Sequence, residues 1–105
     1  MALNLTDENF EKEISEAKLP VLVDFFADWC GPCKILGPVL DKIGEDFKEK
    51  IVFAKVDVGQ APNASGKFGV EKIPTVMLFK NSKPVGGFVG MADENDIKKW
   101  LSENL

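Results

Sequence analysis

Apolar residues near the start of the chain recur with the period of a helix. Phe10, Ile14 and Ala17 are spaced at i, i+4 and i+7, which predicts an amphipathic helix with one buried face. Thr6 is an acceptable N-cap for it, and Leu5 and Phe10 are placed as a hydrophobic staple across that cap. The pattern therefore predicts a first helix that begins near Thr6.

Two nearly continuous apolar runs follow, at residues 20–27 and 51–58, and predict strands that are covered on both faces. Between them the apolar positions recur at helical spacing up to about Lys48. Pro38 lies inside this helical pattern and predicts a kink, because proline has no N–H to donate and crowds the preceding turn. Strand, helix and strand together predict a parallel βαβ unit with a right-handed crossover.

The last third of the chain predicts a hairpin and a final helix. Residues 75–80 and 84–89 are two strand patterns joined closely enough for an antiparallel hairpin, although the turn lacks the glycine that would make this signal strong. Asp93 is placed to cap a helix that carries Ile97, Trp100 and Leu101 on one face.

Residues 60–69 are ambiguous. Pro62 suits the start of a helix, but Asn63, Ser65 and Gly66 are poor helix formers, so a short helix and an irregular turn both remain open. With no repeat and no long linker, the elements predict a single α/β domain over residues 1–105, with a mixed sheet between helices on both faces.

Composition excludes several classes of function. The chain has 13 Lys plus Arg, 17 Asp plus Glu and no histidine, for a formal charge of −4. Such a mixture offers no basic surface for nucleic acid or an anionic membrane, and no apolar run reaches the ~18 residues of a membrane span. Without a signal-like N-terminal pattern, we expect a cytoplasmic protein. The lack of histidine removes the usual general base and the commonest zinc ligand.

The two cysteines lie in the segment WCGPCK, residues 29–34, between the predicted central strand and the long helix. Open α/β sheets bind ligands at this edge. Cys30 is expected at the helix start, where unpaired N–H groups and the macrodipole stabilise a thiolate. Cys33, one turn further and on the core side, is expected to be less exposed, and Pro32 restricts the backbone between them. The motif predicts dithiol–disulfide exchange, with Cys30 as nucleophile and Cys33 as resolving thiol.

Two structural roles for the cysteine pair are the alternatives. An inert disulfide would close so short a loop that it adds only about 2 kcal/mol, and a reducing cytosol would cleave it. Half of a zinc site would need two further ligands, which only a second copy of the chain could supply. Neither role explains the position of the motif as well as redox chemistry does.

Asp24 and Lys55 are charged residues inside the two buried strand patterns. Asp24 lies six residues before Cys30, so it is expected to face the core beneath the cysteines, where burial raises its pKa. It could take the proton of Cys33 during resolution. Lys55 on the adjacent strand would be its partner. The alternative is a buried ion pair with no catalytic part.

With these motifs the chain resembles the thioredoxin family over essentially its full length. A CxxC beside a βαβ pattern is the general signature of that family, and WCGPCK followed by Ile-Pro-Thr at residues 73–75 makes the resemblance specific. The other matching stretches are residues 23–28, 54–57, 78–80 and 88–90. The resemblance implies the thioredoxin fold, a five-stranded mixed sheet between four helices, and a protein-disulfide oxidoreductase.

The resemblance also implies a substrate site. From the residues alone, Pro74 is expected to be an ordinary proline at a strand entry, since few X–Pro bonds are cis. The resemblance implies instead that Pro74 is cis and lies against the cysteines. An extended substrate segment would pair with main-chain groups beside it. The implied groove is formed by Trp29, Gly31, Pro32, Ile73, Pro74, Val89 and Gly90.

Partners follow from the same resemblance. They are proteins with disulfides and a thioredoxin reductase, either flavin-containing and NADPH-dependent or a ferredoxin-linked equivalent. The chain itself is expected to bind no cofactor and to act as a monomer. A specialised donor, an oxidant and an isomerase remain open as alternatives, although Gly31-Pro32 between the cysteines favours a reductant. A binding module that docks partners without redox chemistry is a further alternative.

Overall fold

The computed structural model describes residues 2–105, and in that range it contains five strands and four helices. The strands are β1 (Leu3–Leu5), β2 (Val21–Phe26), β3 (Val52–Asp57), β4 (Thr75–Lys80) and β5 (Lys83–Val89). The helices are α1 (Phe10–Glu16), α2 (Gly31–Asp46), α3 (Pro62–Lys67) and α4 (Glu94–Asn104). No helix among these residues is long and apolar enough to cross a membrane.

The strands form one mixed sheet in the order β1-β3-β2-β4-β5. Strands β1 and β2 both run parallel to β3, whereas β4 is antiparallel to β2 and to β5. The predicted parallel β2-α2-β3 unit is confirmed, and it aligns Asp24 with Lys55 on neighbouring strands. As the middle strand, β2 delivers its carboxyl end to the centre of the sheet edge, where α2 begins.

The sheet separates two apolar clusters. On one face, Phe10 and Ile14 of α1 pack with Phe79 of β4, and the rings of Phe10 and Phe79 meet edge to face with centroids 5.8 Å apart. The other face is covered by residues of α2 and α4, namely Leu36, Leu40, Ile43, Ile97 and Leu101. Because each fully buried aliphatic side chain contributes about 1.5–3 kcal/mol, both helix layers are firmly attached to the sheet. The predicted layered α/β architecture is confirmed.

Helix α1 begins at Phe10, so the predicted start near Thr6 is wrong. Asn9 occupies the N-cap position, and Thr6 lies in the turn before it. There the Thr6 N–H donates to Oδ1 of Asn9 over 2.7 Å, while the Thr6 carbonyl accepts the Phe10 N–H over 2.9 Å. Leu5 and Phe10 are nevertheless buried in one cluster. The strand β1, which includes Leu5, is one that only the family resemblance implied.

Residues 60–69 contain the short helix α3, with Pro62 in its first turn. Its poor helix formers are compensated from a distant part of the chain. The carboxylate of Asp7 accepts the N–H of Asn63 over 3.2 Å and that of Ala64 over 2.9 Å. These two bonds satisfy donors that the start of a helix leaves unpaired, so Asp7 caps α3 from before α1.

The C-terminal predictions are confirmed. Asn81 and Ser82 connect β4 to β5 with φ values of 53° and 69°, the two positive angles that a tight type I′ hairpin requires. Asp93 caps α4, and its carboxylate accepts the N–H of Asn95 over 3.0 Å. The hairpin and helix therefore form as the sequence predicts, although the turn has no glycine.

Candidate active site

Cys30 and Cys33 lie at the start of α2 and are joined by a disulfide, with Cα atoms 5.3 Å apart. Cys30 is the N-cap residue, with an extended backbone, and its Sγ accepts the backbone N–H of Cys33 over 3.2 Å. Cys33 lies one turn inside the helix. An N–H directed at sulfur at the positive end of a helix stabilises negative charge. The predicted position of Cys30 at the helix start is confirmed, and this position suits a thiolate.

Burial does not distinguish the two cysteines in this disulfide form. Cys30 is 5% exposed and Cys33 is 6% exposed, so the expected lower exposure of Cys33 is wrong here. Both pack against Ala27, with Ile73 at the border of the cluster. What separates them is their setting: Cys30 caps the helix, whereas Cys33 lines a cavity beside it.

Asp24 is buried in the middle of β2, at 2% exposure. Among residues 2–105, no hydrogen-bond partner reaches its Oδ1. Burial raises the pKa of this carboxyl from 3.8 to about 6; the positive charge of Lys55 opposes the rise and the negative charge of Asp41 adds to it. The expected burial and raised pKa are both confirmed. Near neutral pH the group can therefore hold or release a proton.

Lys55 stands opposite Asp24 in the register of β2 and β3, as predicted. Its ammonium is directed elsewhere: within the described residues, the ion pair of its Nζ is with Oδ1 of Asp41, at 3.7 Å. The ring of Phe26 lies beneath it, with 5.7 Å between Nζ and the ring centroid. A direct ion pair between Lys55 and Asp24 is thus the wrong expectation, because Asp41 competes for the same ammonium.

A cavity of about 310 Å³ opens beside Cys33 and is lined in part by Asp41 and Lys55. Asp41 is a charged residue that sequence reasoning missed. A signal for it exists, because Cys33, Gly37 and Asp41 are spaced at i, i+4 and i+8 and so share one face of the predicted helix. The cavity brings a sulfur, an ammonium and a carboxylate to one wall of the site.

Pro74 follows a cis peptide bond from Ile73, so the cis form implied by the family resemblance is confirmed and the ordinary strand-entry form is wrong. Its carbonyl accepts the N–H of Gly90 over 2.8 Å. Gly90 has a φ of +87°, a conformation that favours glycine. Ile73 borders the cysteine cluster. The start of β4 and the end of β5 are therefore joined next to the disulfide.

Exposed apolar side chains flank the two buried sulfurs. Trp29 is 79% exposed on the side of the helix start, together with exposed Gly31 and Pro32. Val89, 59% exposed, lies at the end of β5 beside Gly90. Large apolar side chains left in solvent next to a reactive pair can contact a partner protein.

Comparison with known proteins agrees with this geometry. The family model described as Thioredoxin matches residues 1–103. A protein named Thioredoxin from Rickettsia felis is 42% identical over 105 residues, all of both chains, and one from Rickettsia bellii is 41% identical over the same span. A third, from Chlorobaculum thiosulfatiphilum, is 42% identical over 100 residues, which cover 95% of this chain and 93% of the relative. The matched span, residues 1–103, contains the cysteine pair, the buried Asp24 and the cis peptide bond before Pro74, and the chain belongs to the thioredoxin family.

Proposed function

We propose that Cys30 is the attacking thiolate and Cys33 the resolving thiol in the reduction of protein disulfides by this chain. Family membership supports protein-disulfide oxidoreduction through the CxxC pair. The observation that carries the division of roles is the Cys33 N–H directed at Sγ of Cys30, at the positive end of α2. The same donor would stabilise a thiolate at Cys30 after reduction.

The reaction proceeds by two exchanges. The Cys30 thiolate attacks one sulfur of the substrate disulfide, which forms a mixed disulfide and releases the other substrate sulfur as a thiolate. Cys33 then loses its proton and attacks the sulfur of Cys30, so that the second substrate thiolate leaves and the Cys30–Cys33 disulfide forms. Two electrons pass from the pair to the substrate.

Asp24 is the proposed acceptor of the Cys33 proton. Its pKa of about 6 leaves most of the carboxyl ionised at neutral pH while keeping it a far better base than an exposed aspartate. No histidine is present in the sequence to do this work. The proposed contribution of Lys55 is to hold positive charge near the carboxylate, which favours the ionised form that can take the proton.

The proposed substrate groove lies around the exposed apolar residues. An extended segment of the substrate would contact Trp29 and Val89 and would pair with main-chain groups beside Pro74. The hydrogen bond between Gly90 and Pro74 and the position of Ile73 at the cysteine cluster support this location. The full proposed set is Trp29, Gly31, Pro32, Ile73, Pro74, Val89 and Gly90.

The disulfide left after each cycle needs an external source of two electrons, because the sequence contains no third cysteine. The proposed source is a thioredoxin reductase. We place the reaction in the cytoplasm, where a reducing environment suits a chain whose cysteines are both in the redox motif. The proposed active form is a monomer, since one copy carries both cysteines and the proposed groove.

Reduction of a model protein disulfide, with a small dithiol as electron source, tests these roles. Cys30→Ser should abolish turnover, whereas Cys33→Ser should trap the substrate on Cys30 as a mixed disulfide. Ser102→Ala, an exposed position on α4, serves as the control and should match the unmodified chain. Full turnover by Cys30→Ser would refute the mechanism, and trapping on Cys33 in the Cys30→Ser variant would reverse the two roles. Loss of all turnover in Cys30→Ser is the result expected of an enzyme, whereas a module that docks without redox chemistry would keep its partner in this variant.

A further inference from the structure

The cavity beside Cys33 contains a carboxylate that the exchange reaction does not use. Asp41, on α2, places its Oδ1 3.7 Å from Nζ of Lys55. The side chain of Asp41 is 55% exposed and that of Lys55 is 24% exposed, whereas Asp24 is buried. Lys55 therefore pairs with the more exposed carboxylate of Asp41 at the cavity, and it stands opposite the buried carboxylate of Asp24 in the sheet.

The ammonium of Lys55 is enclosed by α2 as well as by the sheet. A Cβ added at Gly37 would lie 3.7 Å from Nζ, so the surface of the helix reaches the ammonium at this residue. Asp41 lies one turn beyond Gly37 on the same face. The ring of Phe26 lies on another side, with its centroid 5.7 Å from Nζ. These contacts give the ammonium a defined place next to the cavity.

We propose that Asp41 is a positioning residue for the proton transfer between Cys33 and Asp24. Its carboxylate holds the Lys55 ammonium at the cavity wall and so limits the positive charge that the buried Asp24 carboxyl experiences. Without Asp41, the Lys55 ammonium is free to turn toward the carboxylate of Asp24, which is aligned with Lys55 on the neighbouring strand. The catalytic consequence rests on the function proposed above for Asp24; the electrostatic arrangement does not.

Charged groups from several elements face this arrangement. Helix α2 contributes Lys34 and Asp41, next to the uncharged disulfide sulfur of Cys33; the segment after β2 contributes Asp28, and β3 contributes Lys55. On the other side of Asp24, β4 presents Val76, which carries no charge. Asp41 acts on Asp24 twice in the same direction, through its own negative charge and by drawing Lys55 away, and both effects raise the pKa of Asp24.

Titration of the Asp24 carboxyl carbon by NMR in the oxidised full chain tests the arrangement, because the disulfide removes the thiols that would titrate nearby. Asp41→Asn should lower the Asp24 pKa by about 0.2–0.7 units, the range expected for a half-exposed ion pair. Lys55→Met should raise it. In the Lys55→Met background, Asp41→Asn should change the Asp24 pKa by less than half as much as it does with Lys55 present. With Lys55 present, Asp41→Glu should keep the Asp24 pKa near that of the unmodified chain.

The matched control is Asp46→Asn, on the same helix, where the carboxylate pairs with Lys98 over 3.0 Å and lies away from the cavity. It should leave Asp24 unchanged. No shift with Asp41→Asn would overturn the proposal. A shift of equal size with and without Lys55 would also overturn it, because Asp41 would then act only through its own charge.

The pH profile of turnover connects the arrangement to the reaction. Since Asp24 must be ionised to accept a proton, its lower pKa in Asp41→Asn should move the acid limb of the profile to lower pH by the same amount. An NMR shift of Asp24 with an unmoved acid limb would refute the role of Asp24 in catalysis and the positioning role of Asp41 with it. A moved acid limb without an NMR shift would also overturn the proposal, because Asp41 would then affect turnover by a route other than the pKa of Asp24.

Discussion

Replacing Asp24 with asparagine should stabilise the folded chain at neutral pH and not at acid pH. The carboxyl is 2% exposed, and burial is the largest cause of its raised pKa. A buried group with a raised pKa is one that the folded state prefers in its neutral, protonated form. Above that pKa the protein must keep a charge in its interior, whereas asparagine has no charge to keep.

The magnitude follows from proton linkage. The carboxyl has a pKa near 3.8 when exposed and about 6 when folded, so the folded state binds its proton more tightly. Its contribution to stability is fully present below about pH 3.8 and is lost as the pH rises through about 6. At about 1.4 kcal/mol for each pKa unit, the loss amounts to roughly 3 kcal/mol. That is a large share of the ~5–15 kcal/mol that stabilises a typical domain.

Denaturant unfolding of both oxidised chains between about pH 4 and pH 8 measures this loss. The free energy of unfolding of Asp24→Asn minus that of the unmodified chain should rise by roughly 2.5 kcal/mol across this range, because at about pH 4 a small part of the loss has already occurred. Any fixed cost of burying the amide cancels, since it is the same at every pH. Asp46→Asn is the control and should show no comparable rise through this window. A difference between Asp24→Asn and the unmodified chain that stays constant with pH would refute the reasoning.

Two further predictions concern stability. Asp7→Ala removes both side-chain acceptors that cap α3, so it should cost about 0.5–2 kcal/mol and speed amide exchange at the start of that helix; unchanged exchange there would contradict the capping role. Gly87→Ala should cost about 1–3 kcal/mol in denaturant unfolding, because a Cβ at this position would overlap the carbonyl oxygen of Val76. Gly66→Ala is its matched control, since no atom within 4 Å opposes a Cβ there and alanine favours the helix; a loss of equal size in both variants would show that the strand contact is not the cause.

Long periodic segments explain why much of the fold could be predicted from the sequence. The apolar run at residues 20–27 corresponds to β2 at Val21–Phe26, and the strand pattern at residues 75–80 matches β4 at Thr75–Lys80. A buried strand leaves its own signature because each residue must suit an apolar environment. The helical period similarly identified α2, which continues through Pro38.

Short elements escaped prediction because tertiary contacts decide them. Strand β1 has three residues, too few to show a period, and it forms by pairing with β3. Helix α3 is held by Asp7, which lies 56 residues from Asn63 in the chain. At α1, Thr6 and Asn9 are both residues that favour a cap, but Oδ1 of Asn9 accepts the N–H of Thr6 and caps no helical N–H, so the helix begins only after this turn.

The candidate active site likewise has one part that local sequence predicts and another that tertiary contacts determine. A thiolate at Cys30 depends on the start of one helix, so a short motif predicts it. The setting of Asp24 depends on the register of β2 with β3 and on the face that α2 presents to Lys55, and neither is local in sequence. Chains with the same CGPC segment are therefore expected to share the proposed nucleophile but need not share the proposed proton step. Burial sets most of the Asp24 pKa, and the charges at positions 41 and 55 adjust it. If the proposed roles hold, a relative with the same cysteine motif and other charges at these two positions should differ in the pH dependence of turnover.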